Sequence, residues 1–591
     1  MVVRTLIATA DERTWPKNDD EPILFLGEWC KLFSRKERWS VLDSCTVSYH
    51  WDDRKKLLND SNYLHNLTEL LLGDLSVKLN EMHGVNYSDR YWRILVGYWL
   101  LSFVGVLFDR WIMLNKAISE YEIKSCRVLT PCCPPPKDIY EFNQQITGDI
   151  YNETIYGQLL KGFLSDKIFI EEVTVEELTA KSIKVEHDGF SLRKLLVSSL
   201  KKTNRWFSRD NEFFFISTYL YLPVDLKLQV RLKQFPRVWG DVDAPNVTVN
   251  KEMRQWSLGE ESLDDFYNVV RRMVPLHIPT IYLEGYNSLQ ESISYLPWPR
   301  QPKVIFTSSS HFSNDVFKAW AAEKTELGTP LVIGQHGGNY GMTPFCSYEK
   351  HEITIADKWF SWGWNNKKVR NIEAIGNLPA LGRQVSHNPK GKALMVSAAF
   401  SRYSNHIMCV PIAGQCLSYF DDQYLFVNTL TEDFRKQLIV RLYKNDYGWS
   451  QSERWQNSIS DVQYDSGQSS MRKLMETSRL YISTYNATTY LESISCNIPT
   501  IIFWNPEFFE LNEDAKYYIG ELASVGIFHD TPEGAAQHMM KIWDNIEEWW
   551  ARDDVQTVRQ NFCQYYSKVG KQPFEKLELI LTDGLNSCDG S

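Results

Sequence analysis

Two rhythms of apolar and polar residues divide the chain. Up to about residue 210 the pattern is mixed. Strand-like runs at residues 2–8 and 22–27 precede a long stretch of helical spacing from about Asn62 to Glu120. The proline-rich segment 130–137 breaks that stretch, and a further mixed helical region is expected to about Lys202. From Phe213 onward, short apolar runs alternate with helical spacing. Strands are predicted at 213–219, 280–284, 303–306 and 331–333, with helices at 263–273 and 314–324. After the polar stretch 386–392 the rhythm resumes. Strands are predicted at 393–396, 480–483 and 499–504, a helix end with a strand at 434–442, and helices at 488–495 and 532–549.

Short buried-type strands alternating with helices indicate parallel sheets with helices on their faces. The predicted class is therefore α/β, with two Rossmann-type lobes facing a central cleft. Residues 1–388 form the N-terminal lobe, with a helical insertion at about 60–210, and residues 389–591 form the C-terminal lobe. Ligands of open α/β sheets bind at the carboxyl ends of the strands, so the loops at those ends are where chemistry is sought.

Two loops stand out. Gly334-Gln335-His336-Gly337-Gly338-Asn339-Tyr340-Gly341 follows an apolar strand, and its four glycines permit unusual backbone angles and close ligand approach. Gln335, Gly337, Gly338 and Asn339 are expected to line the cleft, with His336 as a candidate acid/base. The spacing is not that of the dinucleotide fingerprint. In Ser483-Thr484-Tyr485-Asn486-Ala487-Thr488-Thr489-Tyr490-Leu491-Glu492, an apolar strand ends where an amphipathic helix begins. Ser483, Asn486, Thr488 and Thr489 gather where free N–H groups and the helix dipole favour an anion. Glu492, one turn along, is placed to accept bonds from a ribose. Simple helix capping would need only Thr488 or Thr489.

Further candidates are less localised. Glu349 and Glu352 share a helix face, with His351 on another, and Glu352 is a second candidate base. His351-Glu352 lacks the second histidine of the zinc protease motif. Arg402 and Arg441 lie near strand ends of the C-terminal lobe and are candidates for holding a donor's phosphate or carboxylate.

Composition narrows the classes. A net charge of −10 argues against a nucleic-acid binder. The 11 cysteines show no zinc spacing and read as reduced, so no metal is expected. The chain opens without a secretory pattern. Its longest apolar run, residues 94–108, is fenced by charges and reads as a buried helix. A cytoplasmic location is expected, at the inner face of the inner membrane if contact is peripheral.

Taken together, residues 21–30, 49–54, Gln335 to Gly341, His351-Glu352 with 360–364, and Thr484 to Glu492 with 498–504 resemble a family of transferases of O-antigen and other surface-polysaccharide gene clusters. More distantly, they resemble capsule Kdo-transferases and CDP-glycerol glycerophosphotransferases. The resemblance implies a GT-B fold, an acceptor on the N-terminal lobe and a nucleotide donor on the C-terminal lobe. It also implies no bound metal or other cofactor. Two departures matter. Thr484 stands eight residues before Glu492, where many retaining GT-B enzymes carry a second Glu, so inversion is expected. Ala487 replaces a Ser of the fuller polar loop.

The expected activity is glycosyl transfer from a CMP- or UDP-linked sugar to a glycan or lipid-linked glycan precursor. The alternatives are a polyol-phosphate transferase or NDP-sugar epimerase on the same fold, and a non-catalytic scaffold of a polysaccharide assembly complex.

Overall fold

The computed structural model describes residues 2–176 and 210–582; the end of the expected helical insertion, 177–209, lies outside them. Three parallel sheets are present among the described residues. The first contains β1 (Arg4–Ile7), β2 (Ile23–Phe25), β3 (Ser44–Thr46), β4 (Ile123–Thr130) and β5 (Phe169–Thr174), in the order β3-β2-β1-β4-β5. The second contains β6 (Phe213–Phe215), β7 (Val304–Thr307), β8 (Leu331–Gly334), β9 (Lys358–Ser361) and β10 (Ile372–Ala374), in sequential order. The third contains β11 (Lys392–Val396), β12 (Leu438–Arg441), β13 (Gln463–Asp465), β14 (Ser478–Ser483), β15 (Thr500–Phe503) and β16 (Phe528–His529), in the order β13-β12-β11-β14-β15-β16.

The first and third sheets thus have the doubly wound order, with switch points at β1/β4 and β11/β14. Strands β1, β11 and β14 are buried along most of their length because helices cover both faces. Val396 of β11 pairs with Ser483 of β14, and Thr307 of β7 with Ile333 of β8, so neighbouring strands end level and their polar loops emerge together.

The three carboxyl edges converge. Arg402, after β11, donates to Trp29 O after β2 and to Asp149 at 2.8 Å. Arg54 forks onto Glu510 at 2.7 and 2.8 Å and also reaches Gln415 at 3.0 Å. A Cβ on Gly338, after β8, would lie 2.4 Å from the carbonyl of Ala487, after β14. The chain then returns. Lys568 bonds to Trp362 and Asn377, and helix Lys571–Thr582 buries Leu577, Ile580 and Leu581 against Phe213, Phe215, Phe306 and Phe360 of the second sheet. This is an α/β, GT-B-like architecture with Rossmann-type units facing a cleft.

The expected long helical stretch is two helices. Arg54–His83 is capped by Asp53 and stopped by Gly84 at φ 64°; the second is continuous from Asp89 to Glu120. By length and composition the latter could cross a membrane, but 89% of its most apolar window is buried in the protein. The strand expected at 280–284 is a 3-10 turn, Thr280–Tyr282. Pro279 precedes it, and its N–H groups bond to Pro136 and Lys137 rather than to a strand. The strand from Phe213 stops at Phe215 because Ser217 and Tyr219 take φ of 48° and 63°.

Candidate functional site

At the edge of the second sheet, the loop after β8 is held from beneath by Gln335. Its Oε1 accepts from Trp362 N and Trp364 Nε1, both at 2.9 Å, and its Nε2 donates to Gly337 O at 2.6 Å. Gln335 is 1% exposed, so it anchors the loop and does not line the cleft as expected. His336 does emerge, with 22% of its side chain exposed. It sits among Phe312, Tyr340 and Tyr219, whose ring centroids lie 4.7, 5.2 and 6.3 Å away.

Behind His336 lies Glu352, carried by helix Ser347–Ile355 and fully buried. Tyr340 OH donates to its Oε1 at 2.8 Å, and Trp359 Nε1 approaches its Oε2 at 3.3 Å. His336 Nδ1 and His311 Nε2 each lie 3.4 Å from Oε1, and His336 Nε2 is 3.3 Å from Tyr340 OH. Burial pushes the Glu352 carboxyl up, opposed by His336 and its two hydrogen-bond donors. Burial also lowers His336, opposed by Glu352, and lowers His311 to about 3. The expectation that Glu352 could itself meet an acceptor is corrected, because no part of it reaches the cleft. It can act only through His336. Its neighbour Glu349 accepts from Gly341 N at 2.7 Å, and burial raises it to about 7. His351 faces the other way, onto Gly97 of the core helix.

At the edge of the third sheet, Ser483 Oγ donates to Tyr485 O at 3.1 Å. Thr484 bonds to Val396 O and Tyr419 OH. Both shape the loop, and fully buried Ser483 is not a donor contact. Helix Thr488–Ser495 starts at Ala487 with no side-chain cap, so no side chain of its own N-cap satisfies its first N–H groups. Thr489 Oγ1 pairs with Tyr485 OH at 3.2 Å. Asn486 Oδ1 accepts from Tyr490 OH at 3.1 Å, leaving its buried Nδ2 without a partner. Glu492 is half-buried; burial raises it and Arg383 opposes the rise.

A cavity of about 330 Å³ opens here, lined by Asn339, Ser401, Tyr443, Tyr447, Tyr485 and Asn486 among others. Buried Ser401 Oγ also lacks a partner. Tyr443 and Tyr447 lie nearly parallel at 16°, 6.3 Å apart, with Tyr443 39% exposed. Neither Ser401 nor the two tyrosines was singled out from sequence; their only signal was a position just past β11 or β12. Gly338 joins the two edges, since only a residue without Cβ lets the His336 loop touch the backbone of Ala487.

The two arginines are corrected in part. Arg402 is 4% exposed and fully engaged by Asp149, Trp29 O and Tyr447 O, so it cannot take a phosphate. Arg441 holds the backbone of Gly467 and Ser469 at 3.2 and 3.0 Å, and its Nε lies 3.7 Å from Asp465 Oδ1.

The profile of a family described as LIC12162 family transferase matches residues 4–581. No curated protein matches the chain. Among similar solved structures is MurG of Acinetobacter baumannii, at 12% identity and TM-score 0.33, with 63% of this chain and 99% of that one covered. Anabaena HepE in complex with UDP-glucose gives 10%, 0.35, 64% and 100%. The wall teichoic acid polymerase TagF gives 11%, 0.29, 66% and 93%.

Proposed function

The chain belongs to the LIC12162 family of transferases, and we propose that it is a metal-independent, inverting glycosyltransferase. In this reading it moves a sugar from a nucleotide-activated donor to a surface-polysaccharide precursor, a glycan or lipid-linked glycan at the cytoplasmic face of the membrane. One observation carries the reading. The loop bearing a cleft-exposed imidazole backed by a buried carboxylate touches an uncapped helix N-terminus beside a polar, tyrosine-lined cavity.

Inverting transfer needs a base for the acceptor hydroxyl and stabilisation for the departing nucleotide phosphate. His336 Nε2 takes the proton. Its 3.3 Å contact with Tyr340 OH is long enough to be replaced by a substrate hydroxyl. Glu352, fixed by Tyr340 and Trp359, orients the ring and stabilises the imidazolium as it forms. On the donor side, the uncapped first turn of the helix from Thr488 and the unpaired Asn486 Nδ2 meet the negative charge that develops on the leaving group. Tyr443 offers its exposed face to the base.

The test is a thermal-shift panel of CMP, CDP, UDP, GDP and their sugar nucleotides, followed by turnover with the donor that binds. A ligand at 100 times its Kd adds about 2.7 kcal/mol of stability. One base is expected to raise the Tm of wild type and His336→Ala alike, and to do so weakly in Asn486→Ala, which removes the unpaired Nδ2. Turnover of His336→Ala should drop about 10²–10⁴-fold. A protein that no nucleotide stabilises is a scaffold, not a transferase.

A further inference from the structure

Behind the cleft, folding assembles a group that no sequence motif announced. His311 comes from the turn after β7, His336 from the loop after β8, and Glu352 from helix Ser347–Ile355. One donor atom of each lies within 4.8 Å of the others. His311 Nε2 and His336 Nδ1 are each 3.4 Å from Glu352 Oε1. Ligands of a tetrahedral ion held at about 2.0–2.1 Å sit about 3.3 Å apart, so two of the three separations already suit one ion.

A second observation points the same way. His311 is fully buried, and neither of its ring nitrogens has a hydrogen-bond partner; His336 Nδ1 has none either. An unsatisfied buried donor or acceptor costs about 1–3 kcal/mol, and here the unsatisfied atoms converge on a carboxylate. The exposed part of the His336 ring leaves the group a path to solvent.

We propose that His311, His336 and Glu352 bind a transition-metal ion of the Zn²⁺ class, and that the bound ion inhibits the transferase. Two imidazoles and one carboxylate suit Zn²⁺ or Co²⁺ and disfavour the all-oxygen preferences of Mg²⁺ and Ca²⁺. An ion on His336 Nδ1 leaves the ring's proton on Nε2, so that nitrogen cannot receive another. The inhibitory half rests on His336 acting as the base; the binding half does not.

The experiment is a Co²⁺ titration of full-length, chelator-treated protein, read by visible d–d absorption. Competition with Zn²⁺ and a turnover assay are run in parallel. Wild type is expected to take one Co²⁺ in a low-symmetry N/O site, to release it to one equivalent of Zn²⁺, and to lose turnover about 10²-fold or more until chelator is added. His311→Ala and His311→Gln, with folding checked by thermal unfolding, should lose the absorption and the Zn²⁺ sensitivity. A spectroscopically silent wild type, or binding undiminished in a folded His311 variant, overturns the site. Binding without inhibition upholds the site and overturns the part played by His336 Nε2.

Discussion

Replacing Arg402 by Ala separates two readings of that residue. The guanidinium is buried, donates to Asp149 Oδ2 at 2.8 Å, to Trp29 O and to Tyr447 O at 3.1 Å, and lies against Gly448. Breaking a buried pair by removing one partner costs about 3–5 kcal/mol, because the surviving charge is stranded. Asp149 would still accept from Tyr403 OH at 2.6 Å and Ala10 N at 3.3 Å. The cost therefore falls at the low end, about 3 kcal/mol. The assay is urea denaturation, following the first transition because a chain with three sheets need not unfold in one step. Nucleotide affinity is measured in parallel on the folded variant. The expected result is a lower midpoint with the nucleotide Kd changed by less than about tenfold, or 1.4 kcal/mol. Unchanged stability with a larger loss of affinity would refute the structural reading and make Arg402 a donor ligand.

Two further predictions test other joints. Gly338→Ala places a Cβ 2.4 Å from the Ala487 carbonyl group. Its loops must part by about 1 Å, with turnover expected to fall about 10²-fold for a stability loss of about 1–3 kcal/mol; wild-type kcat and Tm would show that the loops do not meet in the working enzyme. Glu153, buried beneath β4 and accepting from Thr9 Oγ1 at 2.7 Å, is raised by burial from 4.5 to about 7. Between those pH values the native state holds a proton that the unfolded chain has released. This group's contribution to stability is therefore fully present below about 4.5 and lost as pH rises toward 7, by roughly 3 kcal/mol. Glu153→Gln should flatten that part of the stability–pH curve, and a slope unchanged by the substitution would show that the carboxyl titrates normally.

The strands β7, β8, β11, β14 and β15 were legible because each is a short apolar run ended by polar or glycine-rich residues, and the helix from Thr488 was legible by its spacing. His336 and Asn486 were visible for the same reason: polar side chains just past a buried strand have little else to do. Depth was not legible. Glu352 shares a helix with exposed residues, and nothing local distinguishes a carboxylate sealed under Tyr340 and Trp359 from a solvated one. Partners far along the chain were equally hidden. Arg402 is consumed by Asp149 and Trp29, 253 and 373 residues away. Gln335 is taken up by Trp362 and Trp364, and His311 acquires meaning only when two other elements arrive. Ser217 and Tyr219, at positive φ, ended a strand whose apolar pattern continued.

The return of the last helix has a consequence for how the protein is made. Phe213, Phe306 and Phe360 complete their core with Leu577, Ile580 and Leu581, so the middle sheet, though synthesised second, cannot be finished until residues 577–581 leave the ribosome. The third sheet needs the chain only as far as helix Asp553–Tyr566, whose Phe562 packs on Tyr490, and can be complete first. The order of birth along the chain is therefore not the order of maturation. A chain truncated just short of residue 577 would present the bare side of its middle sheet to chaperones, while its third sheet was already built.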